Sequence, residues 1–140
     1  MAWPVPRFVV GTGATADCVT DNLTGLMWVR APGGISIGYR TWNNALALVN
    51  ILTLCGFSDW RLPNVNELES LVNSEAVDQA AFLNTQGFNG VLGTNYWSSS
   101  SVAGSAGFAW IVNLTFSGGG DIGTDGKPNN GYVWPVRAGQ

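Results

Sequence analysis

The chain has 140 residues and a hydrophobic content of 46%, enough for one domain with its own core. Charged residues make up 11%, against roughly 25% in ordinary soluble domains, and the net charge is −3. The one lysine is Lys127, and Arg7, Arg30, Arg40, Arg61 and Arg137 are scattered, so the basic stripe needed to neutralise nucleic-acid phosphates or an anionic membrane surface is missing.

No apolar run approaches the ~18–20 residues that span a bilayer, so no membrane insertion is expected. The opening residues Met1-Ala-Trp-Pro-Val-Pro-Arg7 are not expected to act as a signal peptide, because no charged start precedes an apolar stretch. Arg7-Phe-Val-Val10 reads as a short strand ending at Gly11-Thr-Gly13. The segment Asp17-Cys-Val-Thr-Asp21 reads as a turn. Leu26-Met-Trp-Val29 is a second strand, stopped by Pro32-Gly-Gly34. Thr41 has the character of an N-cap, with Trp42, Ala45, Leu46, Val49 and Leu52 at helical spacing behind it and Gly56 placed to end the helix. A second, shorter helix is expected from the capping box Asn64-x-x-Glu67, with Leu68, Leu71 and Val72 as its buried stripe.

Residues 73–95, rich in Asn and Gly, read as mixed loop. Tyr96-Trp97-Ser98 is a short strand. Residues 108–116 form a long one whose continuous apolar content suits a central position. Residues 132–137 give a last strand, with Pro135 marking an edge or a bulge. Two helices followed by a cluster of strands predict an α+β domain spanning residues 1–140.

The two cysteines, Cys18 and Cys55, are far apart in a chain without histidine. A zinc site, which needs about four N or S ligands, is therefore not expected. Two buried thiols or one disulfide remain open on this ground. The lack of histidine also removes Ser–His and Cys–His pairs, and Glu67 and Glu69 lie two apart on a helix, so they do not converge. No enzyme is expected, and no cofactor or metal.

Two motifs imitate ligand loops. Gly11-Thr-Gly13-Ala-Thr-Ala16 follows a strand as a dinucleotide turn would, but no helix is expected behind it to hold a pyrophosphate. Asp121-Ile-Gly-Thr-Asp125-Gly126 begins like a calcium loop. Its third position is Gly123 and its twelfth Tyr132, where oxygen ligands are required, so it reads as a plain flexible loop. Asn22-Leu-Thr24 and Asn113-Leu-Thr115 are formal glycosylation sequences, relevant only in a eukaryotic secretory pathway.

Three blocks and a tail carry a family resemblance: Asp21-Asn-Leu-Thr-Gly-Leu-Met-Trp28, Ser58-Asp-Trp-Arg-Leu-Pro-Asn64 with Glu67-Leu68, Tyr96-Trp-Ser-Ser99 leading to Ala109-Trp110, and Val133-Trp-Pro-Val-Arg-Ala-Gly-Gln140. Together they resemble the Lcl C-terminal domain family (DUF1566) over nearly the whole chain. The resemblance implies a C-type-lectin-like fold, with two helices beside a small twisted, mainly antiparallel sheet. It implies that Trp28, Trp60, Trp97, Trp110 and Trp134 are core and sheet anchors, each with an indole N–H to satisfy. It favours a Cys18–Cys55 disulfide. Arg61 beside Asp59 is read as a structural ion pair.

Some members of this family look like variable proteins of diversity-generating retroelements, in which template adenines are randomised. A mutated AAC or AAT codon cannot yield Lys, Glu, Gln, Met or Trp. Between Trp97 and Trp110 the chain holds only Ser, Ala, Gly, Val and Phe. Residues 113–126 and Asn129-Asn-Gly131 obey the same restriction. Small polar residues on loops between aromatic strands make an adaptable contact surface. The expected function is a ligand-binding receptor module with a diversified surface at about residues 98–132, on a virus tail-fibre tip or a cell surface. Its partner would be a protein or glycan on a target cell. The expected contact residues are Ser100, Ser101, Val102, Gly104, Ser105, Phe108, Thr115, Ser117, Asp121, Ile122, Thr124, Asp125, Asn129, Asn130 and Tyr132. A fixed adhesin or glycan-binding domain is the alternative.

Overall fold

A computed structural model describes residues 5–32, 38–73, 75–114 and 121–138. Within them the order is β1 (Phe8–Val10), β2 (Cys18–Asp21), β3 (Leu26–Val29), β4 (Tyr39–Thr41), α1 (Trp42–Ile51), α2 (Val65–Glu69), α3 (Gln79–Thr85), β5 (Asn95–Val102), β6 (Ser105–Asn113), β7 (Asp121–Gly126), β8 (Asn130–Tyr132) and β9 (Val136–Ala138). The strands make two sheets, β1-β2-β3-β9 and β4-β8-β5-β6-β7. All pairings are antiparallel except β5 with β8. The class is α+β, as expected, with a third helix and a second sheet beyond the expected set.

The first sheet begins where the residue pattern suggested, but Cys18–Asp21 is a strand rather than a turn. It pairs with both β1 and β3, so Asp21 faces Phe8 and Cys18 faces Val29. The turn that follows is built by one carboxylate. Asp21 accepts hydrogen bonds from the Leu23 N–H and the Thr24 hydroxyl, both at 2.9 Å, and from Nε and Nη2 of Arg7 at 2.9 Å each. Arg7 Nη2 also donates to the Ser70 carbonyl, which ties β1 to the end of α2.

Helix α1 starts at the expected cap, the Thr41 hydroxyl accepting from the Asn44 N–H. It stops at Ile51, before Gly56. That glycine (φ +80°) serves instead a turn closed by reciprocal backbone bonds between Leu54 and Phe57. The turn holds Cys55, which is disulfide-bonded to Cys18 with the Cα atoms 6.5 Å apart. Helix α2 has both halves of the Asn64–Glu67 capping box. Helix α3 lies inside the segment read as loop. Asp78 caps it, Leu83 is buried on one face, and the buried Gln79 amide bonds back to Asn73 and Ala76.

The expected last strand is two. β8 belongs to the second sheet and β9 to the first, and Val133-Trp134-Pro135 carries the chain between them. Pro135 sits in that crossing, where a residue without an N–H breaks no ladder. Trp134 fills the space between the sheets. Its ring lies edge-on to Trp28 (5.5 Å) and Phe88 (5.1 Å) and tilted against Tyr96 (5.3 Å).

The anchoring tryptophans differ in how their N–H groups are satisfied. Trp134 Nε1 donates to the Val29 carbonyl at 2.8 Å, Trp97 to Arg40, and Trp60 to Leu54 and Phe57. Trp28 Nε1 is buried with no partner among the described residues. Trp28→Phe therefore removes an unsatisfied donor, whereas Trp134→Phe strands the Val29 carbonyl. We expect Trp134→Phe to cost about 1–2 kcal/mol more than Trp28→Phe, which paired urea unfolding curves would measure.

Candidate functional site

The second sheet positions the candidate contact surface. The β5–β6 pairing runs regularly from Asn95↔Asn113 to Trp97↔Ile111, then shifts register before Ser101↔Ala109 and again before Val102↔Ser105. Ser98 underlies the first shift. It is fully buried, its hydroxyl donates to the Trp110 carbonyl at 2.7 Å, and its oxygen accepts from the Ser100 N–H. The hairpin closes through Ala103-Gly104, where Gly104 has φ +78°. Residues 103–108 are all exposed.

The segment Asp121–Gly126, expected as a flexible loop, is instead an edge strand paired with β6 over its full length, from Asn113↔Asp121 to Phe108↔Gly126. Asp125 accepts from the Gly126 N–H at 2.8 Å and from Asn129 Nδ2 at 2.7 Å, fixing the β7–β8 turn. Among the described residues no group of three or more His, Cys, Asp or Glu side chains is placed to hold a metal ion.

The expected contact residues fall into separate neighbourhoods. The hairpin tip (Ser100, Ser101, Val102, Gly104, Ser105, Phe108) comes together with Thr124, Asp125 and Asn129, because Phe108 faces Gly126 and Ala109 faces Asp125. Phe108 is 48% exposed. Ile122 lies two residues from Thr124 on the same face of β7, about 7 Å along the strand, and Asp121 begins the strand, about 10 Å from Thr124. Tyr132 sits on β8, between Tyr39 (ring centroids 4.9 Å) and Tyr96 (5.9 Å), and Asn130 faces Thr41. Thr115 and Ser117 lie outside the described residues. Two of the cluster's hydroxyls face the scaffold: Ser100 accepts from the Val65 N–H at 3.4 Å, and Ser101 accepts from Lys127 Nζ at 2.9 Å.

Gly131 belongs to a stretch whose residue types permit diversification, but its position does not. A Cβ there would stand 2.8 Å from Trp97 Nε1 and 3.0 Å from Cε2. Tyr39, 55% exposed beside Tyr132, was not singled out from sequence. The only cue to its partner was the strand-like Gly38-Tyr-Arg-Thr41 ahead of the helix cap.

An open cavity of about 310 Å³ lies elsewhere, between the β2–β3 turn and α2, lined by Thr24, Leu26, Asn64, Asn66, Glu67 and Ser70. Its carboxylate is already engaged. Glu67 takes two bonds from Arg61, at 2.7 and 2.8 Å, and one from the Asn64 N–H, and the Arg61 bonds hold its carboxyl below the usual range. The expected Asp59–Arg61 pair is therefore not formed. Asp59 pairs with Arg137 at 2.6 Å instead, which lowers its pKa, and the Arg137 guanidinium lies 3.6 Å from the Phe57 ring centroid.

The profile of the Lcl C-terminal domain matches residues 17–137. The chain belongs to the Lcl C-terminal domain family. No curated protein matches it. In this Lcl C-terminal domain the blocks that carry the resemblance hold the fold: Asp21 organises a turn, Asn64 and Glu67 cap α2, Ser98 holds the register shift, and Trp134 joins the sheets. None of the described helices is long and apolar enough to cross a membrane.

The scaffold beneath the site contains one phenol with a shifted titration. Tyr96 is buried, its oxygen accepts the Leu92 N–H, and burial raises its pKa from 10.0 to about 12. The folded state thus holds a proton that the unfolded chain releases. This stabilisation is fully present below pH 10 and is lost as pH rises toward 12. The domain should lose about 2–3 kcal/mol across that window, a loss that Tyr96→Phe should remove in alkaline unfolding curves.

Proposed function

We propose that this domain is a ligand-binding receptor module that displays a diversified surface on a C-type-lectin-like scaffold, as the variable protein of a diversity-generating retroelement. It would act at a virus tail-fibre tip or on a cell surface, and its ligand would be a protein or glycan on a target cell. One observation carries the reading. The exposed residues of the hairpin tip, the Gly126 end of β7 and the β7–β8 turn lie close together, and apart from Pro128 they come from the codon-restricted stretches. Beneath that surface Trp97, Ala109 and Ile111 are buried and would be held constant.

Recognition would run through hydroxyl and amide groups (Ser105, Thr124, Asn129) beside the Phe108 ring. Such a face suits protein or glycan binding through short polar groups and one aromatic ring. The alternative, a fixed adhesin or glycan-binding domain, draws on the Tyr39–Tyr132 pair, an aromatic platform at the opposite edge of the sheet. Sequencing the DNA downstream of the reading frame separates the two. The first reading expects a near-copy of the region encoding residues 98–140, differing only where the copy has adenine, together with a reverse transcriptase. If no such copy exists, diversification falls and the fixed adhesin takes its place.

A further inference from the structure

We propose that Lys127 is the positioning residue of this surface, a clamp that fastens the β5–β6 hairpin and the β7–β8 turn to the start of α1. Four contacts converge on it. Its N–H donates to the Gly107 carbonyl at 2.9 Å, and its carbonyl accepts the Trp42 N–H at 3.1 Å. Its ammonium donates to the Ser101 hydroxyl at 2.9 Å and lies 4.0 Å from the Trp42 ring centroid. Trp42 is itself fixed, its Nε1 donating to the Ser98 carbonyl at 2.9 Å. One residue, through its backbone and its side chain, thereby links both arms of the surface to a rigid helix terminus.

The hairpin needs such a tie. Beyond Trp97↔Ile111 its ladder shifts register twice, and the tip residues are exposed, so few buried contacts resist local opening. A cation held over a tryptophan face and bonded to a hydroxyl supplies order without occupying the exposed side. Lys127 also lies between the stretches 113–126 and 129–131, and lysine is a residue type that a randomised AAC or AAT codon cannot produce. Ser101 then serves as the receptor of the clamp rather than as a ligand contact. Only this consequence for ligand binding rests on the proposed function.

Amide hydrogen exchange on the ligand-free domain tests the clamp independently of any ligand. In Lys127→Met, which keeps the aliphatic stem but loses the cation and donors, exchange across residues 102–108 should rise roughly tenfold. The Trp97 and Ile111 amides should keep their wild-type rates. Lys127→Arg, which retains cation and donor, should restore most of the protection. Unchanged hairpin exchange in Lys127→Met overturns the proposal, and so does equal acceleration of hairpin and core amides.

Discussion

Asp21→Ala should cost about 3–5 kcal/mol of folding stability, among the largest single-residue effects in the molecule. Asp21 and its partner Arg7 are both buried, so removing the carboxylate leaves a guanidinium charge inside the protein with its main counter-ion gone. The same change frees the Leu23 N–H and the Thr24 hydroxyl, which hold the β2–β3 turn. Against a typical total of about 5–15 kcal/mol, such a loss threatens folding at physiological temperature. Replacing both Arg7 and Asp21 with apolar residues of similar volume should recover much of it, because a buried pair is costly to break but less costly to replace. Urea denaturation of the single and double variants measures both effects. A cost below about 1 kcal/mol for Asp21→Ala would show that water reaches the site and that the turn is held by other contacts.

The second large effect is expected from the disulfide. Cys18 begins β2 and Cys55 lies in the turn after α1, 37 residues apart in sequence, so the bond fastens the exit of the helix to the first sheet. Closing a loop of that length restricts the unfolded chain by roughly 3–4 kcal/mol in the chain-entropy treatment. A Cys18→Ala, Cys55→Ala variant should melt about 10 °C lower than the oxidised protein. Calorimetry with and without reductant would measure it. Equal melting temperatures for oxidised and fully reduced protein would mean that the rest of the fold already fixes this loop.

The parts of the fold legible in the sequence were those with a local physical signature. Thr41 and the Asn64–Glu67 box announce helix starts, because a side-chain oxygen must meet free N–H groups there, and both caps are present. Continuous apolar content placed residues 108–116 in a central strand, and the observed strand, Ser105–Asn113, lies between β5 and β7. What escaped was structure dictated by partners. Asp121-Ile-Gly-Thr-Asp-Gly126 has poor intrinsic strand character and becomes a strand because β6 offers a ladder along its whole length. Cys18–Asp21 was masked by its turn-like residues in the same way. Helix α3 did leave a signal, Asp78 ahead of Gln79-Ala-Ala-Phe-Leu83, obscured by the Asn and Gly around it. At the candidate site, residue restriction singles out segments but carries no information on which side chains face outward. Ser100 and Ser101 turn to scaffold groups, Gly131 is pressed against Trp97, and Tyr132 is stacked in the sheet. Lys127 was visible only as the single lysine, since its role depends on Trp42 being folded beneath it.

The proposed function requires the exposed end of the second sheet to be a diversified contact surface on a constant scaffold. Sequencing this coding region across many isolates of one lineage tests it most directly. Substitutions should concentrate at exposed positions such as Ser105, Phe108, Thr124 and Asn129, stay within the residue types an AAC or AAT codon can reach, and spare Trp97, Ala109, Ile111, Lys127 and Gly131. An invariant surface, or substitutions spread equally over buried and exposed positions, would contradict it.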